Sequence, residues 1–233
     1  MVTLLETREP RSKGTNFVFA YESNPDSWLW QQAQELEYQV FRDRDFVSNW
    51  EDYLQEYEPY RQSSDFIVCQ TLDGEIAGAM RAIRFSGAGF KTINDAREGK
   101  LVIDAEGQTT LDGLDLERTV VEFNIVANEE FRGNPFTPDG LFNLMASRGL
   151  GYTHRYARQY RLNNFYVLGS LDASMFKLLY RQFTPAVWQI GPAIDYMGSP
   201  TVPTLVDGVE MIKYDSQRAN GSLLSNLGMV AIA

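Results

Sequence analysis

Arg132, Gly133 and Asn134 stand between a strand pattern and a helix start, an arrangement that can hold an anion. Ahead of them, Val120-Val121-Glu122-Phe123-Asn124-Ile125-Val126-Ala127 is rich in β-branched and aromatic residues, as a strand requires. Residues 128–135 read as a tight polar loop. Thr137 then suits an N-cap, Pro138 the first helical position and Asp139 the first turn. Unpaired N–H groups at such a helix start point back at the loop. Arg81 is the second candidate, on a strand that reads as interior, because a buried guanidinium needs a partner. Glu56, Glu58 and Glu122 are candidate partners, and a bidentate contact to a substrate carboxylate is the alternative. Cys69, in Phe66-Ile67-Val68-Cys69, reads as a buried strand residue rather than a nucleophile. The single histidine, His154, rules out a multi-histidine metal site, and no carboxylate cluster has metal spacing, so no metal is expected.

The elements that must position these residues follow from periodicity. Residues 1–16 read as a loose N-terminal lead-in. Residues 17–21 form a plausible first strand, and Asp26 or Ser27 can cap a helix running to about Arg44, with Leu29, Ala33, Leu36, Val40 and Phe41 as its apolar stripe. An acidic, aromatic stretch covers 45–64. Two strands, 65–70 and 75–84, pair around Leu72-Asp73-Gly74. Residues 85–119 read as a long polar excursion with a short helix near 93–97. The strand at 120–127 leads to a helix with Leu141, Leu144, Met145 and Leu150 on its apolar face, interrupted by Gly149 and Gly151. A strand at 165–171 follows, then a helix capped by Asp172. Residues 186–190 and 209–214 read as closing strands joined by a Gly/Pro-rich crossover loop, and 216–233 as a C-terminal tail.

A chain of 233 residues with 44% hydrophobic content fits one domain with a substantial core. No run reaches the roughly 20 apolar residues of a membrane helix. The N-terminus lacks a signal-peptide layout, and one cysteine fits a reducing cytosol, so a cytoplasmic location is expected. A net charge of −10 argues against nucleic acid as a partner. The charge is uneven: Arg148, Arg155, Arg158, Arg161, Lys177 and Arg181 are interrupted only by Asp172. Two solvated faces of opposite sign, or a local basic landing site on an acidic body, both fit.

The strand–loop–helix, with Phe131-Arg132-Gly133-Asn134, resembles the GNAT acyltransferase superfamily, whose fourth strand leads into an Arg/Gln-x-x-Gly-x-Gly/Ala loop for the phosphates of a thioester-carrying pantetheine. Glu130 stands where Gln or Arg is usual, and Pro135 replaces a glycine and brings no N–H. The element order β-α-β-β-β-α-β-α-β-β extends the resemblance over residues 17–215. It implies an α/β fold with a mixed, largely antiparallel central sheet, flanking helices and splayed central strands. Within the superfamily the first half is similar to the acyl-homoserine-lactone synthases and N-acyl amino acid synthases. Val40-Phe41, Glu56-Tyr57-Glu58-Pro59-Tyr60, Gly78-Ala79-Met80-Arg81 and Glu122 carry that likeness. The chain departs from the family at Glu37, where Arg is usual, at Arg61, where Asp is usual, and at Ile125, where an arginine is frequent.

The resemblance implies an N-acyltransferase with no tightly bound cofactor, using an acyl-phosphopantetheine thioester on acyl-carrier protein or coenzyme A. The acceptor would be the amine of a small amino acid-like molecule. Acyl-homoserine-lactone synthesis is the nearest alternative, and a catalytically silent GNAT-fold binding module is another. The backbone N–H near Ile125 or Val126 would face the thioester oxygen. Glu122 would accept the amine proton, or else be a strand-end charge; Tyr180 would protonate the leaving thiolate, or else pack. Arg132, Gly133 and Asn134 would take the phosphate, and Phe41, Trp50 and Arg81 would contact substrate. Arg148, Arg155 and Arg158 would meet an acidic carrier protein.

Overall fold

The computed structural model describes residues 3–5, 17–131, 140–196 and 198–216. In chain order the strands and helices are β1 (Thr3–Leu5), β2 (Phe17–Glu22), α1 (Trp28–Arg42), α2 (Trp50–Tyr57), β3 (Ser64–Thr71), β4 (Ile76–Arg84), α3 (Lys91–Arg97), α4 (Ala105–Asp112), α5 (Leu116–Thr119) and β5 (Val120–Ala127). They continue with α6 (Leu141–Gln159), β6 (Tyr166–Asp172), α7 (Ala173–Phe183), β7 (Val187–Gln189), β8 (Ile194–Tyr196), β9 (Ser199–Asp207) and α8 (Gly208–Ser216). The chain divides into two compact units, Met1–Ala82 with Asn124–Gly149, and Ile83–Phe123 with Leu150–Ala233. The expected α/β class holds, with strands mostly antiparallel and helices on the sheet.

In the first unit β2 pairs antiparallel with β1 on one side and β3 on the other, and β4 follows β3. Three residues of the expected lead-in thus form a strand, with Thr3 opposite Tyr21. Ser27 caps α1 by accepting the Trp30 N–H. Leu29, Ala33, Glu37 and Phe41 recur every fourth residue on α1 and are all buried, so one carboxylate lies on an otherwise apolar stripe. Around them Trp30, Tyr53, Tyr57, Phe66 and Val126 close the core. Gly78 on β4 admits close packing of α6: a Cβ there would lie 2.8 Å from the Met145 sulfur and 3.1 Å from the Val126 carbonyl oxygen.

In the second unit β5 runs parallel to β6 over Val120↔Tyr166, Val121↔Val167 and Glu122↔Leu168. β6 continues to Asp172 against β9, which carries β7 and β8 on its other edge. Splayed strands of this kind were expected from the resemblance. Asp172 caps α7 as expected, accepting the Ser174 N–H. The core is built on Phe165, Phe176, Phe183, Val187, Val202 and Val206.

Three expectations are corrected here. The Gly/Pro-rich crossover is the nine-residue strand β9, and its prolines sit where no donor is needed. Pro203 gives its carbonyl to the Ile190 N–H on the edge where β7 and β8 separate, and Pro200 lies beyond the end of β6. Residues 209–214 are helix rather than strand, because Asp207 accepts the Val209 and Glu210 N–H groups and starts α8. The polar excursion holds α4 and α5 besides α3. α4 gave little periodic signal because only Gly107 and Leu111 of its residues are buried.

Candidate active site

Glu122 is 2% exposed and sits at the last residue of the β5–β6 register. Its Oε1 accepts two hydrogen bonds from Thr92, the backbone N–H at 2.9 Å and the hydroxyl at 2.8 Å. The Thr92 hydroxyl also lies 3.0 Å from Ser170 Oγ on β6. Glu122 Oε2 is buried and has no hydrogen-bond partner among the described residues. Burial raises the Glu122 carboxyl to about 7, against the pull of the Thr92 hydrogen bonds and of Lys91, with Asp95 adding to the rise. A carboxyl that titrates near neutrality and leaves one oxygen without a hydrogen bond is suited to take up a proton at physiological pH.

The turn that delivers Thr92 is fixed locally. Gly89 takes φ +72, and the Asn94 side-chain amide donates to the Ala88 carbonyl at 2.6 Å, folding the chain back onto α3. Lys91, Thr92 and Asp95 are all buried. The Lys91 ammonium donates to Asp95 Oδ2 at 2.8 Å, and the Tyr196 hydroxyl donates to the same oxygen at 2.5 Å. Lys91 and Asp95 therefore neutralise each other beside Glu122.

In the first unit, the carboxylate that meets Arg81 is Glu37. None of Glu56, Glu58 and Glu122 was the right expectation for this pair. The Arg81 Nε and Nη2 both donate to Glu37 Oε2, at 2.9 and 2.7 Å, and Nη2 donates to the Tyr53 hydroxyl at 2.8 Å. The guanidinium also lies 4.5 Å from the Phe66 ring centre and 5.1 Å from that of Tyr57. Burial opposes the Arg81 charge, but the Glu37 carboxylate more than restores it, so the group stays above its ordinary value. Burial and the Glu37 charge push the Tyr53 hydroxyl well up. Phe41 stacks on Tyr57 at 5.6 Å, and Trp50 on Tyr53 at 5.2 Å. Ile125 is half-buried, and Val126 is buried in the core of this unit.

Tyr180 is 45% exposed on α7, and its ring stacks on Phe176 at 5.6 Å. α6 continues through Gly149 and Gly151. Arg148 is half-buried over the Phe19 ring at 5.1 Å, whereas Arg155 and Arg158 are exposed. Burial, then Arg158 and Arg155, lower the His154 imidazole. Cys69 is fully buried, and burial pushes its thiol up, with Arg148 pulling the other way. Arg132, Gly133, Asn134 and the helix start at Pro138 lie outside the described residues, as does the tail beyond Ser216. Among the described residues no group of three metal-ligating side chains occurs, and no helix is long and apolar enough to cross a membrane.

Thr92, Ser170, Lys91, Asp95, Tyr53 and Tyr196 were not anticipated as site residues. The opposite charges of Lys91 and Asp95, one helical turn apart, were the available signal for α3 facing something polar. Glu37 appeared in the sequence only as a departure from the family, although its place on the apolar stripe marks a buried carboxylate.

No protein-family model matches the sequence, and no curated protein matches it. Solved structures do. FeeM, an N-acyl amino acid synthase from uncultured soil microbes, aligns with a TM-score of 0.59 at 12% identity, over 89% of this chain and 97% of its own. The AHL synthase LasI aligns with a TM-score of 0.55 at 15% identity, over 84% of this chain and 91% of its own. TofI, in a ternary complex with an inhibitor and MTA, gives 0.55 at 12% identity, over 84% and 95%. The chain shares the fold of these synthases. At these identities the likeness is one of fold.

Proposed function

We propose that this chain is an N-acyltransferase that moves an acyl group from a pantetheine thioester to the amine of a small amino acid-like acceptor. The observation that carries the reading is the buried Glu122 carboxyl, titrating near 7, with Oε1 held by Thr92 and Oε2 unpartnered among the described residues. The GNAT fold supports it, since such a carboxyl answers the need of amine acylation for a base.

The acceptor nitrogen attacks the thioester carbonyl carbon. A C–N bond forms, the C–S bond breaks, and the nitrogen's proton passes to Glu122 Oε2. The Tyr180 hydroxyl gives its proton to the leaving thiolate and, being partly exposed, recovers one from solvent. Backbone N–H groups of Ile125 or Val126 would stabilise the developing oxyanion. Arg132, Gly133 and Asn134 take the donor's phosphate, and Phe41 and Trp50 are assigned to the acyl chain. Arg81, already engaged by Glu37 and Tyr53, is assigned to holding α1 against β4 rather than to a substrate carboxylate.

Thiol release measured with a panel of acyl thioesters and amino acids tests this reading. Glu122→Gln is expected to lower kcat by roughly 10²–10⁴-fold with the fold intact. Tyr180→Phe is expected to lower it less, and less again with a better leaving thiol. No thiol release by the wild type with any donor would end the enzyme reading in favour of a binding module. Mass spectrometry of lipid extracts from an overexpressing host distinguishes an N-acyl amino acid from an acyl-homoserine lactone.

A further inference from the structure

The hydrogen bonds around Glu122 have a direction. The backbone N–H and the hydroxyl of Thr92 both end on Oε1, at 2.9 and 2.8 Å. An ionised carboxylate only accepts, so the Thr92 hydroxyl is spent as the donor to Oε1. The contact at 3.0 Å between Thr92 Oγ1 and Ser170 Oγ can then run only one way, with Ser170 donating. The chain of donors is Ser170 to Thr92 to Glu122, and it ends on one oxygen. With two donors on Oε1, protonation there would cost a hydrogen bond, whereas Oε2, buried and unpartnered, loses nothing by it.

We propose that Thr92 is the positioning residue of this site: it occupies Oε1 of Glu122 and thereby fixes Oε2 as the oxygen that takes the acceptor's proton, with Ser170 locking the Thr92 hydroxyl in its donor orientation. This rests on the acyl-transfer reading for its role in turnover. The same geometry persists when Oε2 carries the proton, because Oε1 is then a carbonyl oxygen and still accepts. The acceptor amine gives its proton to Oε2 as its C–N bond forms, and the carboxyl later returns that proton to solvent. The charged groups facing Glu122 are Lys91, which favours its ionised form, and Asp95, which opposes it. They pair with each other at 2.8 Å, so the hydroxyl of Thr92 is left as the adjustable donor.

The test is the titration of the Glu122 carboxyl by ¹³C NMR, with Glu122→Gln assigning the signal, in the wild type and in Thr92→Val, Thr92→Ser and Ser170→Ala. Thr92→Val keeps the shape and the backbone N–H but removes the hydroxyl, and is expected to move the midpoint up by roughly one unit. Thr92→Ser is expected to restore it, and Ser170→Ala to give a smaller upward shift. The pH profile of kcat/KM is expected to move with the carboxyl midpoint in every variant. A carboxyl midpoint unmoved in Thr92→Val overturns the proposal. So does a midpoint that moves while the kcat/KM profile stays in place. A wild type that releases no thiol, with the NMR shifts as expected, refutes the acyl-transfer reading and retains the hold of Thr92 on Oε1.

Discussion

Glu122 carries a conflict that pH can expose. Its carboxyl ionises near 7 in the folded chain, above the ordinary glutamate value, chiefly because burial penalises the charge. A raised folded value means that the fold binds this proton more tightly than the unfolded chain does. The stability it contributes is therefore fully present below the unfolded value and is lost as pH rises through about 7. Activity runs the opposite way, because a base must be unprotonated, so kcat/KM is expected to rise through the same range. Thermal unfolding followed across that range, in wild type and Glu122→Gln, checks the linkage. The wild type is expected to lose stability relative to the variant as Glu122 ionises, and a constant difference would refute the raised value.

The elements carry their own test in the ion pair between α1 and β4. Glu37 and Arg81 are both about fully buried, with side-chain exposures of 1% each. Removing one partner leaves the other charge without compensation, so Glu37→Ala is expected to cost roughly 3–5 kcal/mol in urea denaturation. Replacing both, as Glu37→Leu with Arg81→Met, is expected to recover most of that loss. A single variant no less stable than the double would show that the pair does not act as a unit.

The same pair marks where the sequence stops being legible. Caps are local, so Asp172 could be read directly, as could the strands whose β-branched residues alternate or run together, and the first cap could be narrowed to Asp26 or Ser27. β9 was hidden because its prolines argue against a strand until its neighbours are known, and α8 because the apolar Val209, Met211 and Ile212 mask the Asp207 cap ahead of them. Site residues are harder still. Glu37 meets Arg81 across 44 positions, and Thr92 meets Glu122 across 30. No periodicity encodes such pairs; only the folded strands bring them together. Glu122 itself was visible because the resemblance pointed to the strand that bears it.

At the scale of the whole molecule the argument is electrostatic. A chain of net charge −10 repels an acidic partner on average, so docking of an acyl-carrier protein needs a local exception. Arg155, Arg158 and Arg161 are exposed at and just beyond the end of α6, and burial, followed by Arg158 and Arg155, lowers the His154 imidazole beside them. Arg148, packed on Phe19, is the least suited of the group to meet a partner. An acyl-carrier protein would be drawn to this surface, whereas coenzyme A offers no acidic protein body to attract. Charge reversal of Arg155 and Arg158 is therefore expected to slow transfer from the carrier-bound acyl group and to leave the acyl-coenzyme A rate nearly unchanged. The loss should be larger at low salt, because exposed charges are screened within about 10 Å at 0.1 M ionic strength. Initial rates with both donors at two salt concentrations decide it. Equal losses with both donors, or a wild type that accepts only acyl-coenzyme A, would assign these arginines to solubility instead of docking.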